Sequence, residues 1–153
     1  MTELRDVLAG MSFFEGISEE HLDAIAACAS EVSFDAGTML FEEDGVADAW
    51  YLITDGAVAL ELEVPGRGHH VIQTVHDGEA TGWSWLFPPY RWMFGAQALD
   101  PTRAIRFDAE ALRAKQEADC TLGFELYSRF ANVLAGRLQA TRLQLMDVYG
   151  NRA

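Results

Sequence analysis

The residues best suited to chemistry lie between Gly78 and Ala98, which read GEATGWSWLFPPYRWMFGAQA. Gly78-Glu79 can turn the backbone and present one carboxylate, Gly82 gives a second flexible point, and Arg91 is the single base of the stretch. Ala96, Gln97 and Ala98 close it with the small side chains of a tight strand. A glycine-bounded loop of this kind is a cradle for a small anionic ligand. Backbone N–H groups and Arg91 would hold the charge, and Glu79 would accept hydroxyl hydrogens. The same stretch also carries Trp83, Trp85, Phe87, Tyr90, Trp92 and Phe94. It therefore reads equally as an aromatic corner that packs a barrel, with Arg91 at its surface.

Other groups carry less. His70 and His76 share strand parity and His69 neighbours them, but without a nearby Cys or acid cluster they read as surface residues rather than a haem or metal site. Glu42, Glu43 and Asp44 read as a solvated turn. Ser84 has no visible activating partner, and no nucleophile–base motif occurs, so no enzyme and no catalytic residue is expected.

The totals bound the partners. The 153 residues suit one domain, expected to span 1–153. Acidic residues outnumber basic ones 24 to 11, and the net charge of −13 repels nucleic acid and anionic membranes. Cys28 and Cys120 are far apart with no CxxC pattern, which fits reduced thiols in a cytoplasm. Glu3, Arg5 and Asp6 stand where a signal peptide would be apolar, and no apolar run is long enough to span a bilayer.

The elements that must position Gly78–Ala98 follow from periodicity. Residues 1–30 read as helical: Leu4 to Ala9 as a short turn, then Ser18 as an N-cap for a helix with Leu22, Ile25, Ala26 and Ala29 on one face, ending near Ser30. Residues 31–108 read as short strands separated by turns. Asp55-Gly56 between two apolar runs signals a hairpin. Residues 109–150 read as helices capped by Asp108 and Asp119, the second running to about Tyr149. At 1.5 Å per residue that helix is roughly 45 Å long. This is more than a small barrel covers, so its outer part is expected to pack on a second copy; the alternative is a helix folded back on its own barrel or frayed at its end. The fold class expected is mainly β with helices: an eight-stranded jelly roll with a short N-terminal helix and a long C-terminal helix.

Phe34-Asp35-Ala36-Gly37, Phe41-Glu42-Glu43-Asp44-Gly45, Trp50-Tyr51-Leu52-Ile53, Gly56-Ala57-Val58 and Gly78-Glu79 together resemble the cyclic-nucleotide-binding domain. This is the sensor shared by the catabolite activator protein, protein kinase A regulatory subunits and gated channels. The resemblance runs from Phe14 to about Tyr149 and implies cyclic AMP or cyclic GMP as ligand. It implies Glu79 on the ribose 2′-hydroxyl, Arg91 on the cyclic phosphate, and backbone around Gly78 and Gly82. Gly136-Arg137-Leu138-Gln139-Ala140-Thr141-Arg142 is similar to that family's dimer helix, which implies a base contact for Thr141. The cassette departs from the family pattern. Arg91 is farther from Glu79, Pro88-Pro89 is inserted, and Trp92, Met93 and Phe94 stand where small residues flank the phosphate. With Gly150 near the end, no DNA-reading module is expected. The expectation is a non-catalytic small-ligand sensor, dimeric through its C-terminal helix and serving an unidentified protein partner. The alternative is a degenerate domain that binds no nucleotide and serves only as a dimeric interaction module.

Overall fold

The structure is a computed structural model and describes residues 4–150. The chain opens with α1 (Leu4–Ala9), a 3-10 turn (Ser12–Phe14) and α2 (Glu19–Ala26). Eight strands follow: β1 (Ala29–Phe34), β2 (Met39–Phe41), β3 (Ala49–Asp55), β4 (Val58–Val64), β5 (Gly68–Val75), β6 (Ala80–Thr81), β7 (Gly95–Ala98) and β8 (Thr102–Asp108). A second 3-10 turn (Trp83–Leu86) sits between β6 and β7, and α3 (Ala109–Ala118) and α4 (Cys120–Gly150) close the chain. The strands form two antiparallel four-stranded sheets, β1-β8-β3-β6 and β2-β7-β4-β5, as the expected jelly roll requires.

Local signals set the helix starts. The Ser18 hydroxyl accepts from His21 N–H, and the Asp108 carboxylate accepts from Ala111 N–H. Asp119 accepts from Thr121 N–H, Leu122 N–H and the Thr121 hydroxyl, which holds its carboxyl below the ordinary carboxylate range. α2 stops at Ala26 rather than near Ser30, because Ala29 and Ser30 pair with Phe107 and Arg106 of β8.

Asp55-Gly56 is not a hairpin. β3 pairs with β6 and β8, whereas β4 pairs with β5 and β7, so this turn carries the chain from one sheet to the other. Gly56 has φ +127°, and a Cβ there would lie 2.5 Å from the Thr102 hydroxyl. The glycine marks a crossing packed against β8, a feature that two apolar runs around Asp-Gly do not distinguish from a hairpin.

β3 is apolar from Ala49 to Ile53, where both its faces are buried, and ends on the exposed Thr54 and Asp55. Tyr51 faces the second sheet, stacked on Phe41 at 6.3 Å between ring centroids. Trp50 faces the helices, stacked on its cross-strand neighbour Phe107 at 3.9 Å and met edge-on by Phe130 at 4.8 Å. Leu122, Leu126 and Phe130 are the fully buried side chains of α4, one turn apart, and they fix its first half on the jelly roll. No described helix is long and apolar enough to cross a membrane.

Candidate functional site

The stretch Gly78–Ala98 divides into two ends with different surroundings. At its opening, Gly56 N–H donates to the Asp77 carboxylate at 2.9 Å, Gly78 N–H to Ile53 O at 2.7 Å, and Ile53 N–H to Glu79 O at 3.0 Å. These bonds clamp the turn to the end of β3. Glu79 accepts from His76 N–H at 2.8 Å and itself donates to His76 O at 3.1 Å. The N–H groups of Gly78 and Glu79 are therefore spent on backbone carbonyls, and an anion would have to be held by something else.

Gly82 follows β6 with φ +99°. An added Cβ would lie 3.0 Å from the Trp92 ring and 3.3 Å from the Trp50 backbone, so only glycine lets the chain pass here. The 3-10 turn then buries Trp85 against Trp50 and Phe130. It is tied to the helices by Arg113, which donates to Trp85 O at 2.8 Å, and by Tyr127, whose hydroxyl donates to Leu86 O at 2.9 Å. The Arg113 guanidinium also lies 4.4 Å over the Tyr90 ring.

At the closing end Arg91 forms an isolated antiparallel bridge with Val46, flanked by Ala47 N–H donating to Tyr90 O and Trp92 N–H to Gly45 O. Successive side chains then point to opposite sides. Trp92 turns inward and stacks on Phe41 at 3.9 Å. Its neighbour Arg91 is consequently exposed, with Nη1 donating to Asp44 O at 2.9 Å. Burying an indole outweighs burying a guanidinium, and the two cannot exchange faces without breaking the pairing to residues 44–47.

The cavity nearest these residues is about 650 Å³ and opens between the jelly roll and α4. Gly78, Glu79 and Ala80 form one wall, Phe13 and Gln73 another, and α4 contributes Arg129, Asn132, Val133, Gly136, Arg137 and Ala140 at helical spacing. Gly78 and Glu79 thus reach the cavity, while Gly82, Arg91 and Thr141 do not line it. Thr141 is one turn beyond Arg137, and its exposed hydroxyl donates back to Arg137 O at 2.9 Å.

The guanidinium groups on the cavity are those of Arg129 and Arg137, not that of Arg91. Arg137 Nη2 donates to Ala80 O, and its guanidinium lies 4.7 Å over the Trp83 ring. Nη1 is buried with no acceptor. Burial pushes the guanidinium down to about 10, while the nearby Glu79 carboxylate pulls the other way. It remains charged at neutral pH, with one donor unspent. Arg129 uses Nη2 twice, donating to Glu15 O at 3.0 Å and pairing with Glu125 at 3.3 Å, while its Nε, like Arg137 Nη1, is buried with no acceptor. Gly136 leaves the helix face low beside Arg137, since a Cβ there meets nothing within 4 Å. The available sequence signal was a base one turn before Thr141, on a face with Gly136 and Ala140. Gln73 and Asn132 offered none, because exposed amides are ordinary on strands and helices.

Comparison with known proteins finds relatives over most of the chain. The family model described as "Cyclic nucleotide-binding domain" matches residues 31–119. The chain is 26% identical over 143 residues to a CRP-like cAMP-activated global transcriptional regulator of Mycobacterium tuberculosis, covering 94% of this chain and 62% of that protein. It thus spans less than two thirds of that relative's length. A solved protein of Geobacter metallireducens, described as a cyclic nucleotide-binding protein, superposes with a TM-score of 0.81 at 29% identity, covering 90% of this chain and 99% of the other. The catabolite activator protein of Thermus thermophilus superposes with a TM-score of 0.69 at 22% identity, over 90% and 62% of the two chains, which is a likeness of fold.

Proposed function

Because the chain belongs to the cyclic nucleotide-binding domain family, we propose that it is a non-catalytic regulatory domain. It binds a small anionic ligand of the cyclic-nucleotide type in the cavity between Gly78–Ala80 and α4. The observation that carries this reading is the buried Arg137 guanidinium, charged, beside Glu79, with Nη1 lacking an acceptor. A phosphodiester oxygen would satisfy that donor. Glu79 keeps lone pairs beyond the one taken by His76 N–H and would accept ribose hydroxyls. The open face at Gly136 gives the ligand room.

Ligand binding would change what Arg137 holds. The guanidinium is now shared between Ala80 O and the Trp83 ring, both on the cassette side, so drawing it toward an anion shifts α4 against that loop. Tyr127 and Arg113 link the same loop to α4 and α3. A ligand shifts only an equilibrium between states it binds differently, and the Arg137 contacts are the difference here. The distal part of α4 presents Leu138, Leu145, Met146 and Val148 to solvent, the surface on which a second copy would pack.

Calorimetry with cyclic AMP and cyclic GMP on wild type, Arg137→Ala and Arg91→Ala tests this reading. The expected result is micromolar binding, lost by about a hundredfold in Arg137→Ala, as befits a charge-assisted bond of about 1.5–3 kcal/mol. Arg91→Ala should bind as wild type. Absence of heat from both nucleotides would overturn the ligand reading. That outcome would favour the degenerate interaction module, for which the Trp92–Phe41 stack filling the closing end of the cassette is the supporting observation.

A further inference from the structure

Resting on the proposal that a cyclic nucleotide occupies this cavity, we infer that the site selects guanine over adenine. Arg129 is the residue that reads the base, through the O6 and N7 edge of the purine.

The cavity carries two guanidinium groups rather than one. Arg129 and Arg137 both line it from α4, and at 1.5 Å per residue they are about 12 Å apart along the helix axis. Each has a buried N–H group without an acceptor, Nε of Arg129 and Nη1 of Arg137. A buried donor left unpaired is costly, so each is a place where an acceptor on a ligand would be gained. A cyclic nucleotide has one phosphodiester. With that group on Arg137, the acceptor at Arg129 has to come from another part of the same molecule.

The surroundings of Arg129 decide what kind of acceptor that is. Its Nη2 pairs with the Glu125 carboxylate at 3.3 Å and donates to Glu15 O at 3.0 Å, so its charge is already matched. Arg137 is held instead by a carbonyl and a ring face. A second anion at Arg129 would compete with Glu125, whereas a neutral carbonyl or ring nitrogen would not. The neutral part of the ligand is its base, and the cavity extends that way. From Arg137 it passes Asn132 and Val133 to Arg129 and Phe13. In the other direction Ala140 is the last α4 residue on its wall, and the Thr141 hydroxyl beyond it is spent on Arg137 O.

A guanidinium only donates. Guanine presents two acceptors side by side, O6 and N7, whereas adenine sets the N6 amino donor beside N7. Arg129 therefore bonds to guanine and opposes a donor to the adenine amino group. Asn132 and Gln73, also on the cavity, each carry a donor and an acceptor and can turn to suit either purine, so they do not discriminate.

Calorimetry of the full chain with cyclic GMP, cyclic AMP and cyclic IMP tests this. Cyclic IMP keeps the O6 and N7 of guanine and lacks its 2-amino group. Cyclic GMP and cyclic IMP should bind within about threefold of each other, and both about tenfold or more tighter than cyclic AMP. In Arg129→Gln the order should reverse, with cyclic AMP the tighter ligand, because a Gln amide offers adenine both a donor and an acceptor. A site merely loosened by the substitution would weaken all three alike, and circular dichroism checks that the variant folds. Wild type binding cyclic AMP as tightly as cyclic GMP overturns the inference and leaves the cavity reading standing. Cyclic IMP as weak as cyclic AMP gives the selection to the 2-amino group, for which Glu15 on the same wall would serve, and overturns Arg129 as the reader. An unchanged preference in Arg129→Gln does the same. No heat from any of the three nucleotides overturns the cavity reading, and this inference with it.

Discussion

The two ends of the cassette solve the same problem of placing an arginine beside a barrel in opposite ways. At the closing end, Trp92 fills the interior against Phe41 and Arg91 is left at the surface on Asp44 O. At the opening end, no aromatic side chain points inward between Gly78 and Thr81, and the space is closed instead by α4, which brings Arg137 over it. Where an extended segment supplies both an indole and a guanidinium, the indole takes the buried side, because burial of apolar area is favourable and burial of an unpaired charge is costly. Where the local segment supplies only small residues, a charge from a distant element can enter, held by a carbonyl and a ring face and assisted by Glu79.

Substitutions at four positions sharpen or break that contrast. The largest effect is expected at Trp92→Ala, which empties the stack on Phe41 and should cost about 3–5 kcal/mol in urea-induced unfolding. An effect under about 1 kcal/mol would mean the closing end is loosely packed. Next is Arg137→Gln, read by the pH dependence of nucleotide binding. The Arg137 guanidinium is pushed by burial down to about 10, below the ordinary arginine range, so it is cationic from neutral pH to about 9. Wild-type affinity should be level over that range and weaken as pH passes about 10. Stability should move the other way: above about 10 the folded state sheds the proton before the unfolded state does, so the wild type gains stability relative to Arg137→Gln. A wild-type affinity that stays level through pH 11 would show that this cation does not hold the ligand.

Gly136→Ala comes third. Its Cβ meets nothing, so it should raise stability by about 0.5–1 kcal/mol through helix propensity, while Gly136→Leu should reduce nucleotide affinity by filling the cavity. If Gly136→Leu binds as tightly as wild type, the ligand does not approach this helix face. The smallest effect belongs to Arg91→Ala, whose thermal midpoint should stay within the equivalent of about 0.5 kcal/mol of wild type. A larger loss would give the surface arginine a role in holding the Glu42–Gly45 turn.

The architecture was largely legible in the residues because the forces behind it are local. Caps at Ser18, Asp108 and Asp119, the alternation of short apolar runs, and the 3.6-residue period after Asp119 each depend on neighbours a few positions away. Gly78 and Glu79 were legible in the same way, as a turn with one acid, and the structure puts both on the cavity. What could not be read was any outcome decided by competition between distant segments. Asp55-Gly56 looked like a hairpin because the sequence does not say which sheet each strand joins; the Thr102 side chain packed under Gly56 reflects that choice. Arg91 looked like the phosphate ligand because it was the cassette's single base. Only the assembled fold shows Trp92 taking the inward side next to it, and Arg137, far along the chain, arriving over Ala80 from another element. Local pattern fixes the elements, but the contest for buried volume is settled among all of them at once, and that contest left Arg91 at the surface and Arg137 on the cavity.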